Sequence, residues 1–236
     1  ENNMPEKPFI LGCRKYYPES TVIAYQHTVW YEQQFGMFLS DDEVEYHPIA
    51  DTIICSGDIY LNVLKKAGFP KDILLIGPNL RFTSVENWSP TLNQEIVSPN
   101  ILLPLSFDDN LNYELINKVN NLLKIYPKYF LYIRRHPLLN KAKLQDYIDD
   151  LNMVKYKYAD DGNIQEWFNN CDMVITTGCS VTTLESAVMG KPIVRIQPDN
   201  NFFLDPMAWS KYPLKPVNNE TDLETQIIYI TRMGQK

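Results

Sequence analysis

Between Asp172 and Ile196 the chain carries two short apolar runs, Asp172-Met173-Val174-Ile175-Thr176 and Ile193-Val194-Arg195-Ile196, divided by a polar turn and one short helix. Runs of four or five apolar residues bounded by turn formers read as buried strands. The helix is expected from about Val181 to Met189, closed by Gly190, with Pro192 following as a stop. Strand, helix and strand form a βαβ crossover, which makes the two strands parallel members of one sheet. Ligands of open parallel sheets bind outside the carboxyl ends of the strands, and Thr176 to Ser180 lie at such an end.

That turn, Thr177-Gly178-Cys179-Ser180, has two readings. Its backbone N–H groups precede a helix N-terminus, whose partial positive charge stabilises an anion such as a phosphate. Alternatively Ser180 is simply the N-cap of the helix. Glu185 also has a structural alternative to a ligand-binding role, because Thr182-x-x-Glu185 matches a capping box.

The same alternation extends over the chain. Strands are expected at Thr21–Tyr25, Thr52–Cys55, Ile73–Ile76, Ile101–Leu105, Phe130–Ile133 and Met153–Tyr156, with helices at Ile59–Ala67, Asn110–Tyr126, Lys141–Leu151, Ile164–Asn170 and Thr221–Met233. Asp58 or Ser56 is the expected cap of the first of these helices. Asn79 to Asn100 collects Asn87, Ser89-Pro90 and Ser98-Pro99, and reads as a linker. The expectation is an α/β protein of two Rossmann-like parallel-sheet halves: residues 1–78 as part of an amino-terminal half, 79–100 as linker, 101–236 as a carboxyl-terminal half. Seventy-eight residues are few for a half of this kind, so the first is expected to be trimmed or much reduced, and a start at Glu1 is expected to mean an excised segment.

Composition excludes several classes. A net charge of −7 argues against general nucleic-acid binding, which needs a basic excess. No apolar run is long enough to span a bilayer, and Glu1 to Lys7 does not resemble a secretory signal. Cys13, Cys55, Cys171 and Cys179 have no spacing that supports zinc or a disulfide framework, so a reducing cytoplasm and no structural metal are expected. No cofactor is expected either.

Polar residues recur at strand ends: His27 after the first strand, Arg134-Arg135-His136-Pro137 after the strand at Phe130, and the turn ending in Ser180. Pro137 restricts His136 to an extended backbone and fixes its imidazole in place. A histidine and an arginine beside a helix N-terminus can hold a diphosphate without a metal. Histidine is the side-chain type suited to proton transfer near neutral pH, so His27 at a strand end is the candidate general base; a hydrogen-bonding role for it is the structural alternative.

Taken together, Arg134-Arg135-His136-Pro137, Asn163-x-x-Glu166, Cys171-Asp172-x-x-Ile175-Thr176-Thr177, Ser180, Glu185 and Gly190-Lys191-Pro192-Ile193 resemble the carboxyl-terminal half of GT-B transferases of bacterial surface polysaccharides. The pattern is similar to that of CDP-glycerol glycerophosphotransferases and of sialic-acid and Kdo transferases, which share a His-Pro and a Ser/Thr motif. Ala24-Tyr25-Gln26-His27 and Asp51 to Gly57 are similar to surface-carbohydrate biosynthesis enzymes.

The resemblance implies metal-independent transfer of a glycosyl or polyol-phosphate group from a CMP- or CDP-linked donor to a growing lipopolysaccharide or capsule. It places His136 and the turn Thr177, Gly178 and Ser180 at the donor phosphate, beside Arg134 and Arg135, and Thr182 or Glu185 near the ribose; with His27 taken as general base from its strand-end position, His27 and His136 are the expected catalytic residues. Acceptors in such pathways are polysaccharide or lipid-linked glycans, which implies a cytoplasmic enzyme in peripheral contact with the inner membrane and its assembly enzymes. One departure is that Val181 follows Ser180 where the families often have a second hydroxyl, with Thr182 and Thr183 beyond. The competing expectations are a nucleotide-sugar epimerase or hydrolase of the same fold, and a non-catalytic domain that binds a polysaccharide or a partner.

Overall fold

The computed structural model describes residues 6–31, 38–80, 82, 99–177, 180–199, 204–208 and 215–233. The chain divides into two compact units, residues 1–86 with 208–211 and residues 87–207 with 212–236.

The first unit runs α1 (Glu6–Tyr16), β1 (Ile23–Tyr25), α2 (Asp41–Tyr46), β2 (Thr52–Cys55), α3 (Asp58–Lys66) and β3 (Leu74–Ile76). Its strands are parallel in the order β1-β2-β3. Alternation along β2 sends Ile53 and Cys55 into a core with Leu61, Leu64 and Leu74. Arg14 at the end of α1 grips Asp51 with two hydrogen bonds of 2.8 and 2.7 Å, and the same carboxylate accepts the Val22 N–H.

Two local features start helices in this unit, and the second corrects an expectation. The acidic stretch after Asp41 forms a short helix, started by the Glu43 carboxylate accepting the Ser40 N–H at 2.9 Å. Neither Ser56 nor Asp58 caps α3; Gly57 occupies that position with φ of 110°, a conformation that a side chain would strain.

The second unit contains β4 (Asn100–Pro104), α4 (Asp109–Ile125), β5 (Phe130–Arg134), α5 (Lys141–Asp150), β6 (Tyr156–Tyr158), α6 (Ile164–Asn170), β7 (Met173–Thr177), α7 (Thr182–Val188), β8 (Ile193–Ile196) and α8 (Glu220–Met233). The five strands are parallel in the order β6-β5-β4-β7-β8. The strand expected at Met153 forms three residues later, at Tyr156, because Met153 is taken into the core beside α5.

Both faces of this sheet are covered, which is why its strands are continuous apolar runs. On one face Ile101, Leu131, Met173 and Ile175 join Leu115 and Ile148 of α4 and α5. The opposite face meets α6 and α7: Tyr132 packs on Trp167, and the buried hydroxyls of Thr176 and Thr183 lie 3.0 Å apart. Asn163 caps α6 by accepting the Glu166 N–H, and Asp108 caps α4 by accepting from Asn110 and Leu111. At the end of α7 Gly190 takes φ of 63°, so that Gly190 N–H reaches Ala187 and Lys191 N–H reaches Ser186. These two bonds satisfy carbonyls the helix leaves open and turn the chain into β8.

Candidate functional site

The strand order has a topological switch. From β4 the chain moves outward to β5 and β6, then returns to the other side of β4 for β7 and β8. Loops after β4 and β7 therefore diverge, and a crevice opens outside their carboxyl ends. Ser106 and Phe107 follow β4, His136 follows the adjacent β5, and Ser180 follows β7.

The four residues Arg134 to Pro137, at and beyond the end of β5, divide into two kinds. Arg134 and Arg135 are engaged by the protein itself, whereas the His-Pro turn stands at the strand end. Side-chain alternation carries Arg134 to the α6 face, where its guanidinium donates to the carbonyls of Ala159 at 2.7 Å, Asp161 at 3.3 Å and Gly162 at 3.0 Å. Arg135 turns to the opposite side and lies 3.9 Å over the Tyr158 ring while its guanidinium pairs with Asp160. The backbone N–H of Arg135 donates to the same carboxylate at 3.0 Å. Burial alone would raise the Asp160 carboxyl, but the Arg135 hydrogen bonds outweigh it and hold the group below the usual carboxylate range. Burial pushes the neighbouring Tyr158 phenol up to about 12.

His136 is half-buried, with its ring edge-on to Phe107 at 6.0 Å between centroids. Its Nδ1 accepts the Leu138 N–H at 3.2 Å, and its carbonyl accepts the Leu139 N–H at 3.0 Å. A nitrogen that accepts a backbone N–H carries no proton, so the neutral ring holds its proton on Nε2. The turn thus presents one N–H donor of fixed orientation.

On the other side of the crevice Thr177 is a buried strand terminus, and Ser180 N–H reaches its carbonyl at 3.4 Å. Ser180 is not the cap of α7: that position belongs to Val181, which makes no side-chain capping bond, and Ser180 is half-exposed before it. Thr182 lies inside the first turn, so the capping-box pairing of Thr182 with Glu185 does not form. Glu185 is buried in that turn. Gly178 lies outside the described residues.

His27 belongs to the first unit and is exposed on the loop after β1. That loop is tied to the end of β2 by the buried Gln26, whose side-chain oxygen accepts the Ser56 N–H at 3.0 Å and whose amide donates to the Thr28 carbonyl. Ser106 and Phe107 have no counterpart among the sequence-derived candidates. Only the strand order reveals that the loop after β4 borders the crevice. Among the described residues no three His, Cys, Asp or Glu side chains are grouped to hold a metal ion, and no helix is long and apolar enough to cross a membrane.

No known family model matches this chain, and no curated protein matches its sequence. Solved structures do. Anabaena HepE in complex with UDP-glucose superposes with a TM-score of 0.57 at 14% identity, over 96% of this chain and 69% of HepE. A point variant of S. aureus TarM in complex with fondaparinux, α-GlcNAc-glycerol and UDP gives 0.58 at 14% identity, over 93% of this chain and 47% of TarM. S. aureus MnaA with UDP gives 0.64 at 10% identity, over 98% of this chain and 66% of MnaA. This chain therefore spans under half of TarM and about two thirds of the other two. At such low identity the likeness is one of architecture, and that architecture is an α/β, GT-B-like fold with two Rossmann-like parallel-sheet halves.

Proposed function

We propose that this chain carries the donor site of a glycosyltransferase that moves a glycosyl or polyol-phosphate group from a nucleotide-activated donor to a bacterial cell-surface polysaccharide such as lipopolysaccharide or capsule. The observation that carries the reading is the oriented Nε2–H of His136 at a strand end bordering the switch crevice. It is supported by the fold shared with HepE, TarM and MnaA, whose complexes contain UDP or UDP-glucose.

In the proposed reaction an acceptor hydroxyl attacks the donor carbon or phosphorus, and the bond to the nucleotide phosphate breaks. His136 donates a hydrogen bond to the departing phosphate, aided by the hydroxyls of Ser180, Thr177 and Thr182 and by Gly178. Negative charge developing there is stabilised without a metal. Arg134 and Arg135 contribute through the loop that they hold, keeping His136 in position. Glu185 or Thr182 meets the ribose, and His27 removes the acceptor proton. The donor carries a pyrimidine: cytidine by the His-Pro resemblance, with uridine favoured by the neighbours' ligands. Activity without added metal, a cytoplasmic location and peripheral membrane contact with a lipid-linked acceptor and its assembly enzymes belong to the same proposal.

Calorimetric titration with CMP, CDP, UMP and UDP, on the unmodified chain and on His136→Ala, tests it. One base family binds, and the variant loses at least about ten-fold in affinity, the worth of a hydrogen bond to a charged group. If none of the four binds, the donor-site reading fails and a non-catalytic binding domain takes its place.

A further inference from the structure

Phe107 is a large apolar side chain left 70% exposed, on the loop between β4 and α4. The loop backbone is held on both sides of the ring. Before it, the buried Asn112 side chain accepts the Ser106 N–H and donates to the Ser106 carbonyl, both at 2.9 Å. After it, Asp108 N–H donates to the Ser106 hydroxyl at 3.0 Å, while the Asp108 carboxylate caps α4. The Leu105 N–H is bonded to the Arg134 carbonyl at 2.9 Å, fixing the loop against the end of β5.

These hydrogen bonds brace a loop whose most prominent side chain makes no contribution to the core cluster of its unit. The ring stands at the switch crevice, with its centroid 6.0 Å from that of His136. If His136 holds a phosphate through Nε2–H, a flat group one ribose away from that phosphate falls within reach of Phe107. A braced exposed aromatic lowers the ordering cost of stacking, and stacking on a nucleobase is worth about ten-fold or more in affinity.

We propose that Phe107 is the platform on which the donor's pyrimidine base stacks. The inference rests on the donor-site reading given under Proposed function and assigns its base subsite. The ring selects for an aromatic base without reading its edge, so base identity is chosen by other groups.

The test is calorimetry on the full chain with the nucleoside diphosphate that the unmodified protein binds, and with inorganic pyrophosphate, for Phe107→Ala, Phe107→Leu and Phe107→Tyr. The expected result is a loss of about ten-fold or more in nucleotide affinity for the Ala and Leu variants, a change within about two-fold for Tyr, and unchanged pyrophosphate binding throughout. Thermal unfolding of all three matches the unmodified protein, because the ring is exposed. Equal nucleotide binding by Phe107→Ala overturns the stacking role and leaves the donor site intact. A parallel loss of pyrophosphate binding also overturns it, since the ring would then only shape the loop. If the unmodified chain binds pyrophosphate but no nucleotide, or neither, the donor-site reading itself falls and this inference with it.

Discussion

Nδ1 of His136 accepts the backbone N–H of Leu138 at 3.2 Å, so a two-residue turn decides which ring nitrogen carries the proton. Pro137, between them, sets the turn and has no N–H of its own to compete. An imidazole free to choose would exchange tautomers; this one is committed to carrying its proton on Nε2.

Long-range nitrogen–proton correlation spectra recorded above pH 7.5 are expected to show His136 as a single Nε2–H tautomer. A mixture of tautomers, or a protonated Nδ1, would remove the geometric basis for its role as a phosphate donor.

The Arg135–Asp160 pair makes stability depend on acid. The folded Asp160 carboxyl sits below its unfolded value of about 3.9, so its contribution is present above that pH and is lost as pH falls through the folded value. Asp160→Asn should unfold about 1 kcal/mol more easily at pH 7, a difference that narrows below about pH 4. Denaturant titrations at pH 7 and pH 3 measure it, and a gap that is the same at both would show that the carboxylate charge is not involved.

Arg195, the third residue of β8, is fully buried and pairs with Asp205 at 2.6 Å, whose carboxylate also accepts the Met207 N–H at 2.7 Å. Burial drives the guanidinium pKa down, and the pairing with Asp205 opposes that shift. Truncating one partner strands the other charge, so Arg195→Met is expected to cost about 3 kcal/mol or more. Adding Asp205→Leu should restore part of this loss. A double variant no better than the sum of the single ones in chemical denaturation would mean that the two side chains are not coupled.

Asn112 is the side chain that locks the Phe107 loop. Replacing it with Ala removes two hydrogen bonds and leaves the Ser106 N–H and carbonyl without them, which should cost about 2 kcal/mol. Faster amide exchange at Ser106 and Asp108 is expected to accompany the loss. Unchanged exchange there would show that the loop is held by other means.

Much of the fold is legible in the amino-acid sequence because its signals are local. A short run of apolar residues bounded by turn formers is enough to mark a strand, and Thr52–Cys55 and Ile193–Ile196 have the bounds that their composition implies. Stop chemistry at Gly190 and the Asn163 cap are equally local, each requiring a particular residue type within a few positions. Where local signals compete, they mislead. Met153 reads as the start of a strand, yet core packing claims it and moves β6 to Tyr156. The hydroxyls near α7 offer two caps, and the helix uses neither.

Sequence alone determined the alternation of strand and helix, the parallel sense of the strands and the presence of a histidine fixed by proline at a strand end. These follow from periodicity, turn chemistry and the geometry of crossovers, all of which act over a few residues. Only the tertiary structure decided the strand order, and with it the crevice between the β4 and β7 loops that gives Ser106 and Phe107 their place. It also decided that Arg134 and Arg135 serve the β6–α6 loop while His136 retains its Nε2–H. A side chain's partners are chosen by what the fold brings within about 3 Å of it, and residues 25 to 28 positions away leave no local mark in the chain.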